Sequence, residues 1–227
     1  MITGEQGSPR APLLSSVSLV VGNALPLWAV WAGHMSVGDV FVVYWLENVA
    51  VWWITIVKVR TARGVGGRAT ATMRLNGRPV DPANPAPLAF FFALHYGIFT
   101  VVHGVFAFVM ASIAGGDLHP VSWLWAGLAL GLSHLGSLWI NWYDGGERWR
   151  GSPGSAMWQP YPRMLVLHVS VLAGFAITLR SVGSEAPSGL EQLAPALILL
   201  GLKTVVDLAL HLWERSRASS EPAAATG

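Results

Sequence analysis

The stretch Leu200–Glu214, LGLKTVVDLALHLWE, sets Lys203, Asp207 and His211 among leucines, valines and alanine. Residues four apart on a helix stand nearly one above another. Three ionisable groups therefore project from one side of a helix whose other sides are apolar. In hydrocarbon each charge costs ~2.5–3.5 kcal/mol on insertion scales unless it turns inward to a partner. Partners are available in other apolar segments: Glu47, His95, His103, His134 and His168. The stretch predicts a membrane helix in a bundle with a polar centre. Lys203 and Asp207 also have the spacing of a self-neutralising pair.

Composition agrees. The chain is 53% hydrophobic and 11% charged, against about 25% charged in a soluble domain. Its twelve tryptophans suit membrane interfaces, where the ring is apolar and the N–H stays wet. A net charge of +2 gives no support to nucleic-acid binding. The absence of cysteine excludes disulfides, thiolate metal sites and covalent c-type haem attachment.

A helix needs about 20 apolar residues to cross a bilayer. Six segments approach this: Leu13–Gly33, Val37–Val57, Leu88–Ala114, Val121–Tyr143, Met164–Arg180 and Leu190–Trp213. The first resembles a signal peptide, but its apolar run continues through Pro26, which favours a retained helix. Lys58, Arg60, Arg63, Arg68, Arg74 and Arg78 fall at or in the 59–87 loop. Arg148, Arg150 and Arg163 flank the fourth and fifth segments, and Arg215 and Arg217 follow the sixth. The opposite connections are nearly free of Lys and Arg. The positive-inside rule then predicts an all-α, multi-pass protein of the cytoplasmic membrane with six transmembrane helices and both termini cytoplasmic. Residues 1–12 and 214–227 read as disordered tails around a 13–213 membrane domain. The basic loop sets topology and is placed to touch anionic head groups. Gly127 and Gly131 form a GxxxG suited to close packing.

Spacing groups the polar residues. Tyr44, Glu47 and Asn48 share a face of the second segment, and Tyr96, Thr100 and His103 share one of the third, with His95 rotated away. His134, Ser137 and Asn141 align in the fourth. In the fifth, Arg163 stands at the boundary and His168 about one and a half turns deeper. On the predicted topology His95, His168, Asp207 and His211 lie in the inner half, with Glu47, His103 and His134 near mid-span. Each has a bland reading as well: a protonated acid, a packing histidine, a snorkelling arginine.

YWLENV (44–49), HYGIFTVVHG (95–104), Ser133-His134, PYPR (160–163) with His168, and LKTVVDLALHL (202–212) together resemble an uncharacterised family of prokaryotic integral-membrane proteins, a domain of unknown function. The resemblance implies a six-helix membrane fold with shared polar positions, and no activity.

The leading functional reading is an intramembrane site for a divalent metal such as zinc. Its ligand pool is His103, His134, His168, Asp207 and His211, with Glu47 as proton acceptor and Lys203 stabilising charge. Asn48, His95, Tyr96, Asn141 and Arg163 complete the polar set. The alternatives are a proton-coupled transporter using the acids and histidines as a relay, a haem-binding electron carrier, and a non-catalytic scaffold. The bilayer is the one partner the sequence names; a small-molecule or lipid substrate and the oligomeric state stay open.

Overall fold

A computed structural model describes residues 28–64, 74–75, 77–81, 83–113, 118–181, 197–198, 201–202 and 204–205. The expected tails, most of the first segment, and Lys203, Asp207 and His211 lie outside the described residues.

Helix α1 spans Val37–Thr61 and α2 spans Ala86–Ile113. Between them a small hairpin pairs β1 (Arg74–Leu75) with β2 (Arg78–Pro79). Gly77 there has φ +77°, the left-handed conformation such a tight hairpin turn requires. Helix α3 (Pro120–Ser137) runs on into a π-helix at Leu138–Asp144. Two short helices follow, α4 (Glu147–Arg150) and α5 (Pro153–Trp158), before α6 (Tyr161–Ser181). The second to fifth apolar segments thus coincide with helices. Val37–Thr61, Ala86–Ile113 and Pro120–Asp144 are each long and apolar enough to cross a membrane.

Sequence explains where these helices start. Ser36 caps α1, its Oγ accepting the Asp39 N–H at 3.1 Å while Asp39 Oδ2 accepts the Ser36 N–H at 2.7 Å. This is the reciprocal capping box of an S-x-x-D sequence. The proline-rich run before Ala86 bars earlier helix, and Ser152 and Ser155 form a second capping box at α5.

Helices α1 and α2 pack antiparallel through a seam that repeats every seven residues. A methyl group added at Gly38 would lie 2.6 Å from Ala111 Cα; at Gly104 it would lie 2.7 Å from the Trp45 ring, and at Gly97 2.6 Å from the Trp52 ring. Each indole therefore occupies a notch that a glycine leaves open. The Trp45 N–H donates to Thr100 O at 2.8 Å and the Trp52 N–H to Ala93 O at 3.1 Å. A side chain cannot share these notches, so Gly104→Val is expected to cost about 1–3 kcal/mol by overpacking. Thermal unfolding in detergent, followed by near-UV circular dichroism, measures it; a wild-type midpoint would show that the ring is not seated there.

Two apolar clusters hold the bundle. One joins Val37, Val40, Phe41 and Tyr44 to Ala107, Met110, Leu167 and Val171. The other, at the basic end, joins Val59, Leu88, Phe92 and Tyr96 to Trp142, Met157 and Met164. Helix α3 is attached lightly. Gly127 meets Leu46, Gly131 of the expected GxxxG meets nothing within 4 Å, and most of its apolar side chains, such as Leu124, Trp125, Leu128, Leu132 and Leu135, are exposed. At its end Trp142 is buried, donates its N–H to Thr61 Oγ1 at 2.8 Å, and carries Lys58 Nζ 5.2 Å above its ring.

Helix α6 starts inside the layer rather than at its rim. The Tyr161 ring lies 5.7 Å from that of Tyr96, and the seven-residue register sets Tyr96 level with Trp53. That is about eight residues, or ~12 Å, short of the end of α1 at Thr61. The fold-back through α4 and α5 takes up the difference.

Candidate functional site

Between the two apolar clusters lies a polar layer. Its residues come from α1 (Glu47, Asn48), α2 (Tyr96, Thr100, His103), α3 (His134) and α6 (His168). Glu47 is about 12 Å along the helix from Asp39 and about 16 Å from Lys58, so it stands near the middle of α1.

Asn48 is buried at the centre of a closed network. Its Oδ1 accepts from the Tyr96 hydroxyl at 2.5 Å, and its Nδ2 donates to Thr100 Oγ1 at 3.2 Å. The Thr100 hydroxyl donates in turn to Tyr96 O at 3.0 Å. Such satisfaction is what a buried amide in an apolar bundle requires. Arg163, Tyr161 and Glu47 all lie within electrostatic reach of the Tyr96 hydroxyl. Arg163 is itself exposed.

His103 and His168 meet one layer further on. His103 Nδ1 is 2.6 Å from Phe99 O, and His103 Nε2 is 3.0 Å from His168 Nδ1. A carbonyl only accepts, so His103 carries its proton on Nδ1 and turns an Nε2 lone pair toward His168. His103 is buried, 2% exposed, whereas His168 is exposed. The contact sets His168 level with His103 along the bundle. The reason is the inset start of α6.

Glu47 Oε1 and His134 Nε2 approach to 3.4 Å, with both side chains largely buried. Two expected site residues point elsewhere. His95 is exposed and stacks on Phe91 with ring centroids 5.4 Å apart. Asn141 is exposed and donates to Ser137 Oγ at 3.0 Å. Among the described residues no three His, Asp or Glu side chains come together as a metal-ligand group.

A second polar centre, absent from the sequence reading, sits at the other end of α1. Asp39 is fully buried and both its oxygens are engaged. Oδ2 accepts from Ser36 N–H and from His119 Nδ1 at 2.8 Å; Oδ1 accepts from His119 N–H at 3.1 Å and Trp123 Nε1 at 2.5 Å. The capping-box pattern could have singled out Asp39. Its partners, 80 and 84 residues away, carry no local signal.

Fold and site define a helical protein with apolar spans long enough to cross a membrane and a buried seam of histidine, carboxylate, amide and phenol. The chain belongs to a family of unknown function, DUF6498, which matches it over residues 6–224. Neither a curated protein nor a solved structure matches it.

Proposed function

We propose that this is a six-helix protein of the cytoplasmic membrane, both termini inside, that holds a divalent, zinc-like ion at mid-span with His103 and His168 as ligands. The observation that carries the reading is the convergence of their two ring nitrogens at 3.0 Å. Ligand nitrogens ~2.0–2.1 Å from a tetrahedral ion stand about 3.4 Å apart, so a small shift admits the metal. The Phe99 carbonyl on His103 Nδ1 is the partner that fixes a ligating imidazole's tautomer and orientation. Uptake asks His168 only to move its proton from Nδ1 to Nε2, leaving both rings neutral. Asp207 and His211, one turn apart in an apolar stretch, are the proposed further ligands, with Lys203 as charge stabiliser. Glu47, paired with His134, is the proton acceptor for a metal-bound water.

The experiment is metal analysis of the detergent-purified protein. About one equivalent of zinc is expected, falling in Asp207→Ala and unchanged in Asn141→Ala. Metal at background in the wild-type protein, including after incubation with zinc, would sink the reading.

A proton-coupled carrier is the second reading. It is favoured by the contact of His103 Nε2 with His168 Nδ1 at 3.0 Å, across which a proton can pass from one imidazole to the other. Substrate flux in vesicles that depends on a pH gradient and persists in chelator would select it.

A further inference from the structure

We propose that the basic end of the bundle is a built site for the phosphate headgroup of an anionic phospholipid. Two basic segments far apart in sequence are joined there backbone to backbone. The Arg63 N–H donates to Arg148 O at 2.7 Å and the Gly64 N–H to Gly151 O at 3.0 Å. A methyl group at Gly64 would lie 2.5 Å from Arg150 O, so only glycine permits this join. It gathers Arg60 and Arg63 from the end of α1 with Arg148 and Arg150 from α4 along one rim.

Among the described residues no carboxylate pairs with these arginines, and Arg150 donates to Gly145 O at 3.0 Å. Arg60, Arg63 and Arg150 are exposed. The Arg148 guanidinium lies 5.4 Å from the Tyr143 ring and 4.8 Å from the Trp149 ring. Its buried Nε has no hydrogen-bond partner among the described residues, an orphan donor of the sort that calls for an unseen partner. Trp149 and Trp158 are 60% and 57% exposed on the same fold-back, as interfacial aromatics are. Arg63 lies about five residues past Lys58, ~7 Å if helical rise continued. That distance spans the headgroup layer outside a hydrocarbon core that ends near Lys58. Cationic forks, interfacial indoles and headgroup depth together fit a lipid phosphate with its acyl chains beside α1.

The inference rests on the membrane reading and not on the metal. The test is native mass spectrometry of the full chain in detergent with equal palmitoyl-oleoyl phosphatidylglycerol and phosphatidylcholine. Phosphatidylglycerol adducts are expected to dominate, with the preference falling about fivefold for each arginine removed in Arg63→Gln and Arg150→Gln. Gly64→Ala keeps every charge and is expected to lower the preference by opening the join; Arg60→Gln serves if it fails to fold. Arg74→Gln, a charge removed from the hairpin, is expected to leave the preference within about twofold. Equal binding of the two lipids, or an equal loss from Arg74→Gln, overturns the site. If the protein still needs detergent in that case, the membrane reading survives.

Discussion

His103→Ala is expected to lower bound zinc at least tenfold, and His168→Ala to do the same. The two histidines supply the convergent nitrogens, and even an orienting partner is worth about 10–100-fold in metal affinity. Acid is expected to strip the metal as the ligating imidazoles protonate, because only neutral rings coordinate. A competitive chelator titration of wild-type and variant proteins at fixed pH measures the affinities. His95→Ala is the matched control, since its ring is exposed and stacks on Phe91 rather than meeting the His103–His168 pair. Loss of metal from the His95 variant with retention in the His103 variant would place the ion elsewhere.

Asp39→Ala is expected to be the most destabilising single change among the described residues, at about 3 kcal/mol or more. It orphans Ser36 N–H, His119 N–H, His119 Nδ1 and Trp123 Nε1 together. A buried unsatisfied donor costs about 1–3 kcal/mol, less whatever water recovers at the exposed edge of His119. His119→Ala removes fewer partners and should cost roughly half as much. Asp39→Asn keeps an acceptor but turns an amide N–H₂ toward other donors, so it should fall between the two. Chemical unfolding in detergent with tryptophan emission as the probe ranks the three. A change under about 0.5 kcal/mol for Asp39→Ala, the size of an ordinary surface substitution, would show that the clamp does not hold α3.

Much of the helical layout was legible because its causes are local. Runs of apolar residues, a serine cap and a proline brake set the second to fifth segments within a few residues of the observed helices. Helix periodicity also sorted Tyr96, Thr100 and His103 onto one face, and all three are buried. What spacing cannot carry is rotation and depth between helices. The pairing of His103 with His168 follows from where α6 begins relative to α1 and α2, which depends on the path of the chain through α4 and α5 as well as on the prolines at its start. The partners in the Asp39 clamp lie 80 and 84 residues away, with the whole of α2 between them in the chain. The indole notches had a visible signature, two tryptophans and two glycines each seven apart, whose meaning appears only when the helices are set antiparallel.

Those notches fix more than stability. Each indole is held both by shape and by a bond to a main-chain carbonyl, at two heights along the same seam. A sliding motion would have to clear both glycine notches at once and break both bonds, so α1 and α2 form a stator. Helix α3 carries no such lock: a methyl group at Gly131 would meet nothing within 4 Å, and most of its apolar side chains are exposed.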